Sequence, residues 1–128
     1  MYGLPENIDL SFFVGRELNG LTVGIANVQF NFDGPVLSPG VQSLLSLSVQ
    51  SLIEHSSNGV VNGWDRDENN PLSAATLLSL VGKLVTAVQG DIDGTLSLRF
   101  SNGDVLTVFD SEGYDAYQIC YEDQRIYV

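Results

Sequence analysis

Turn chemistry constrains this chain more than any other feature. Asn19-Gly20, Asp33-Gly34, Asn58-Gly59, Asn62-Gly63, Asp93-Gly94 and Asn102-Gly103 recur along 128 residues. Each pair combines residues that tolerate positive φ, which tight hairpin turns require. Such density predicts short strands joined by turns and leaves little room for long helices. The length suits one domain, residues 1–128, with one core, and 44% hydrophobic residues suffice to bury it.

The strands are read from period-two alternation. After a helical or irregular lead-in over Ile8 to Val14, strands are expected at Leu18 to Ile25 and Val28 to Phe32, joined at Ala26-Asn27. Pro35, Pro39 and Gly40 predict a loop. Leu45, Leu47 and Val49 alternate with Ser46, Ser48 and Gln50, giving a third strand that reaches towards His55. The polar stretch Ser56 to Pro71 reads as a long surface loop. Leu72 to Val81 carries Ala74, Leu77, Leu78 and Val81 at helical spacing, with Ser73 placed to cap the helix and Gly82 to end it. Strands follow at Leu84 to Gln89, Thr95 to Ser101, Val105 to Phe109, Tyr117 to Tyr121 and Arg125 to Val128. The expected class is α+β: a curved antiparallel sheet or open barrel of seven to eight strands with one main helix.

The Asn102-Gly103 hairpin admits two registers. A two-residue loop pairs Phe100 with Val105. A three-residue loop with Gly103 as a left-handed bulge pairs Leu98 with Leu106 and Leu96 with Val108, which gathers the apolar residues on one side and is favoured for that reason.

Charge excludes a class of partner. Sixteen acids against five Lys and Arg give a net charge of -11, which repels nucleic-acid phosphate. No apolar run approaches the roughly 18 residues of a membrane-spanning helix, so no membrane partner is expected. Met1 to Leu10 carries Glu6 and Asp9 and no cation, unlike a secretory leader. With a lone Cys120 that cannot close an intramolecular disulfide, a cytoplasmic location is expected.

Catalytic and metal chemistry is thin, and neither a cofactor nor a metal is expected. Asp65-Arg66-Asp67-Glu68-Asn69-Asn70 begins like a calcium loop, but Asn70 stands where the sharp-turn Gly belongs and Thr76 where the bidentate Glu belongs. His55 is a candidate general base, but catalysis by it also needs a nucleophile and an orienting group held nearby, a geometry that sequence does not supply, and Cys120 has no adjacent cation, although Arg125 faces it across a hairpin. The chain reads as non-enzymatic.

Binding is better represented. Asp104, Asp110, Glu112, Asp115, Glu122 and Asp123 fall in a stretch without Lys or Arg, a distribution that steers a basic partner or simply confers solubility. Tyr and Trp beside carboxylates are typical of protein-binding surfaces, as they are of ordinary packing. The candidate protein-binding residues are Trp64, Asp65, Asp67, Glu68, Asp110, Glu112, Tyr114, Asp115 and Tyr117. Homodimerisation through the terminal strand is the competing expectation.

The run Gly94-Thr95-Leu96-Ser97-Leu98-Arg99-Phe100-Ser101-Asn102-Gly103-Asp104-Val105-Leu106-Thr107-Val108, followed by Tyr114-Asp115-Ala116-Tyr117-Gln118-Ile119, resembles an uncharacterised bacterial family of small acidic domains. Its pattern is a G-x-L-x-L-x-F-x-x-G-x-x-L-x-V hairpin before a Y-E-[AS]-[WY]-x-I strand. Here Asp115 replaces the usual Glu and Tyr117 takes the aromatic position. Leu77 to Val88 resembles the approach to that hairpin, whereas the first half matches loosely. Similar modules occur among immunity proteins that protect bacteria from neighbours' toxins. The family has no settled activity, so the resemblance implies a fold more than a function; with the acidic charge and the absence of catalytic motifs, the expected role is an immunity or inhibitor protein that covers a basic toxin, and the alternative is a structural or self-associating module.

Overall fold

The computed structural model describes residues 3–34, 36–38, 41–42, 44–68 and 70–128. The loop expected at Pro35, Pro39 and Gly40, and Asn69 of the acidic run, lie outside them. The strands are β1 (Glu17–Val23), β2 (Val28–Asp33), β3 (Val36–Ser38), β4 (Val41–Gln42), β5 (Leu45–Val49), β6 (Ile53–Ser57), β7 (Val60–Trp64), β8 (Val85–Gly90), β9 (Leu96–Phe100), β10 (Val105–Val108), β11 (Tyr117–Tyr121) and β12 (Gln124–Tyr127). Two five-stranded antiparallel sheets hold ten of them, in the orders β1-β2-β5-β11-β12 and β7-β6-β10-β9-β8. β3 and β4 form a small separate pair.

This corrects the expected single sheet or open barrel of seven to eight strands. The chain crosses between sheets after Val49, so what read as one strand reaching His55 is two, β5 and β6. The stretch read as a loop contains β7, the return arm of a hairpin on β6. Asn58 and Gly59, at φ of 50° and 80°, form its two-residue turn, and Ser57 pairs with Val60. β7 escapes a hydrophobicity reading because it is an edge strand with Val60 to Gly63 exposed and only Trp64 buried. β2 and β5 show the expected alternation: Val28, Phe30 and Phe32, and Leu45, Leu47 and Val49, point inward while Gln29, Asn31, Ser46 and Ser48 do not. The Asn102-Gly103 hairpin takes the bulged register, with Leu98 opposite Leu106, Leu96 opposite Val108 and Gly103 at φ 89°.

Both sheets contribute to one core, from Phe30, Leu47 and Ile119 on one side to Leu98, Phe100 and Leu106 on the other. They are stitched at one edge by main-chain bonds: Gly15 N to Val85 O, Val85 N to Arg16 O and Leu18 N to Lys83 O. At another place the two sheet-to-sheet crossings bind each other. Gln50 N and Ser51 N both donate to Ala116 O, Phe109 N donates to Leu52 O, and the Ser51 hydroxyl, 1% exposed, donates to Phe109 O.

The expected helix is present over Pro71–Leu80 but is 3-10 rather than α. The reason is a strict period of three. Ala74, Leu77 and Leu80 are buried; Ser73, Thr76 and Ser79 form a hydroxyl face; Leu72, Ala75 and Leu78 face outward. The capping assignment also changes. Asn70, not Ser73, accepts from Leu72 N through its side chain, Pro71 needs no donor at the first position, and Ser73 Oγ donates back to Asn70 O at 2.7 Å. Gly82, at φ 88°, follows the segment as expected.

Trp64 is the sole tryptophan, so its fluorescence reports one place. It is 2% exposed. Its emission should be blue-shifted and shielded from iodide in the native state, and Trp64→Ala should lose about 3–5 kcal/mol in urea unfolding. Iodide quenching as efficient before as after unfolding would contradict this placement.

Candidate functional site

The nine candidate residues divide between the interior and one end of the molecule. Trp64 and Tyr117 are core residues, which removes them from any binding surface. Tyr117 donates its hydroxyl to Gly94 O at 2.7 Å inside the core, and burial, with a smaller effect from the Asp93 charge, raises its pKa well above the ordinary phenol value. Asp110 is occupied internally: Oδ2 accepts from Gly3 N at 3.1 Å and Oδ1 from Ser111 N at 2.7 Å. It also lies against Gly94, where an added Cβ would come within 2.6 Å of its side chain.

The others meet at the crossover end. Asp65, Asp67 and Glu68 follow β7, and Glu112, Tyr114 and Asp115 lie between β10 and β11. Arg66 joins these two connections to the third. Its Nη1 donates to Gln50 Oε1 at 3.0 Å, and its guanidinium lies 4.8 Å from the centre of the Tyr114 ring. Its cation is directed at an aromatic face and an amide, and Asp67, Glu68, Glu112 and Asp115 are exposed on the two connections it joins. Asp65 is half-buried, its Oδ1 accepting from Asp67 N at 3.0 Å. Arg66 is the residue that sequence reasoning missed; a single cation inside an acidic run was the available signal.

The acids of the stretch 104–123 do not form one surface. Glu122 and Asp123 close the β11–β12 hairpin, at the opposite end of β11 from Asp115. Asp104 is buried beneath the chain's one histidine. His55 Nε2 lies 2.8 Å from Asp104 Oδ2, and its Nδ1 lies 3.4 Å from Thr76 Oγ1. With Asp104 ionised, Nε2–H donates to the carboxylate. His55 itself is 2% exposed. The hydrogen bond from His55 holds the Asp104 carboxyl below its ordinary value against the opposing effect of burial, with Ser57 and Asn102 assisting. These contacts tie β6, the β9–β10 turn and the 3-10 segment together.

Cys120 lies elsewhere, on a strand of the other sheet, with Ser46 and Arg125 as its cross-strand neighbours. A shallow groove of about 430 Å³ runs past Asn31, Ser46, Cys120 and Arg125. Among the described residues no group of three or more His, Cys, Asp or Glu side chains converges as a metal site. No helix among them is long and apolar enough to cross a membrane.

The two-sheet fold and its C-terminal hairpin coincide with a family match that spans residues 18–128. The chain belongs to DUF6188, a family of unknown function. The match reaches well beyond the C-terminal resemblance seen in the sequence, through β1 and both crossings. No curated protein and no solved structure matches the chain. Membership in DUF6188 therefore groups this fold without assigning it an activity.

Because Asp104 has a lowered pKa, its contribution to stability is fully present above the ordinary carboxyl value near 4 and is lost as pH falls through its lower folded value. Asp104→Asn should lower stability at neutral pH by about 1–3 kcal/mol and flatten the loss of stability below pH 4. Parallel pH profiles for the variant and the parent, measured by urea unfolding, would contradict the pairing.

Proposed function

We propose that this DUF6188 chain is a non-enzymatic, cytoplasmic binding protein whose acidic crossover end covers a basic protein, and that the partner is a toxin held inactive by an immunity function. One observation carries the reading: Arg66, directed into Tyr114 and Gln50, draws two acidic connections to the same end and leaves Asp67, Glu68, Glu112 and Asp115 exposed. Carboxylates on short connections anchored to rigid sheets keep their mutual positions. That arrangement favours fast, oriented capture of a basic surface over nonspecific attraction. The charge of -11 adds long-range steering and disfavours nucleic acid as the partner.

The burial of His55 supports the non-enzymatic part. Its hydrogen-bonding order, Thr76 to His55 to Asp104, is that of a nucleophile, base and orienting acid, yet the imidazole is enclosed between the sheet and the 3-10 segment. A base in that position serves packing. The competing reading, self-association, is favoured by β12, an edge strand with Tyr127 half exposed.

Immobilised protein should retain a basic protein from the native host's lysate at low salt and release it at high salt. The variant Asp67→Lys/Glu112→Lys/Asp115→Lys, altered only at exposed positions, should lose that retention. Retention unchanged in the variant contradicts the site. A retained protein whose own activity is undiminished in the complex contradicts inhibition, and a concentration-dependent dimer in light scattering with no retained partner favours β12.

A further inference from the structure

The 3-10 segment Pro71–Leu80 has a face that the fold does not use. Runs of 3-10 helix longer than three or four residues are uncommon, because the hydrogen-bond geometry is poorer and side chains eclipse every third residue. Here the eclipsing sorts three kinds of chemistry onto three faces. The buried face is Ala74, Leu77 and Leu80, and the hydroxyl face carries Thr76 on His55 and Ser79 on the main-chain oxygen of Thr76. The third face is apolar and exposed: Leu72 at 81%, Leu78 at 60%, with Ala75 between them and Val81 continuing the row at 37%. Isolated exposed leucines are ordinary, but a straight row on a segment fixed by its buried face and by Thr76 on His55 is a preformed surface.

The row begins at the acidic end. Asp67 and Glu68 precede it by a few residues, and Glu17 lies beside Gly82 at its far end, with a carboxylate oxygen 4.0 Å from where a side chain there would start. Lys83 follows, half-buried. An apolar centre with a charged rim is the usual anatomy of a protein interface. At about 2 Å rise per residue the row spans about 18 Å, the length of about three turns of α-helix. A second copy of the chain would bring another charge of -11 to the same place, which charge complementarity disfavours.

We propose that Leu72, Ala75, Leu78 and Val81 form the apolar centre of a docking surface for a basic amphipathic helical segment of a protein partner, with Asp67 and Glu68 as its acidic rim. This rests on the reading of the crossover end as a surface for a basic partner and extends it along the 3-10 segment. It locates the affinity in the leucines and the steering in the carboxylates.

The probe is a synthetic Leu/Lys peptide of about 14 residues whose leucines fall on one helical face, compared with a scrambled peptide of the same composition. Fluorescence anisotropy with the full chain should show the patterned peptide binding about tenfold or more tightly than the scrambled one. Leu72→Ser/Leu78→Ser, at exposed positions and with thermal unfolding checked against the parent, should abolish that preference while leaving the weak, salt-sensitive binding of both peptides. Asp67→Lys/Glu68→Lys should weaken both peptides and reduce their salt dependence. Equal affinity for the two peptides, or a preference that survives the double Ser variant, overturns the proposal. If the leucine variant is silent while charge reversal still removes retention of the natural partner, the docking row falls and the acidic-end reading stands. Loss of neither effect removes both. A parent dimer that the leucine variant converts to monomer assigns the row to a second copy and overturns the proposed occupant.

Discussion

The structure depends on a shared acceptor, the main-chain oxygen of Ala116, which takes the amides of Gln50 and Ser51 where the chain passes from one sheet to the other. A two-sheet fold must cross between layers, and each crossing interrupts a ladder and exposes main-chain groups to burial without partners. Here the outward crossing after β5 and the return crossing before β11 satisfy each other. Ser51 Oγ on Phe109 O and Phe109 N on Leu52 O complete the exchange. Those contacts place Val49 beside Tyr117 and allow β5 and β11 to pair from Leu45 opposite Tyr121 to Val49 opposite Tyr117.

The same constraint creates the candidate site. Connections locked at their bases can present charges that a free loop would let diverge. Arg66 adds the third connection to the two already bound, and its cation is engaged by Tyr114 and Gln50. An arginine suits this position because a planar guanidinium stacks on an aromatic face while donating in its plane. The 3-10 segment then leads away from this end, held by Ala74, Leu77 and Leu80 beneath and by Thr76 on His55 at its side.

Local features were legible in the sequence and non-local ones were not. The opening hairpin, the β9–β10 register and the inward sets of β2, β5 and β9 follow from turn residues and alternation, which act over a few positions. The pairing of β5 with β11 joins residues some seventy positions apart, and no periodicity encodes it. β7 was hidden because an edge strand buries little; its Asn58-Gly59 turn was the legible clue. The position of the helix follows from the sequence but its period does not, since Leu78 and Val81 fit an α-helical face as well as Leu80 fits a 3-10 one. For the site, exposure decided what composition left open. Trp64 and Tyr117 pack inside, Asp110 and Asp104 have internal partners, and the exposed candidate acids Asp67, Glu68, Glu112 and Asp115 lie on the two connections that Arg66 joins.

The central claim is that the crossover end and the adjoining 3-10 row form one contact surface. Hydrogen exchange on the complex with a captured basic protein tests it most directly, because each connection supplies its own amides. The account predicts slowed exchange over 65–68, 71–81 and 111–115 on binding, with the β11–β12 hairpin unchanged. Protection confined to β12, with the crossover end exchanging as in the free protein, would contradict it.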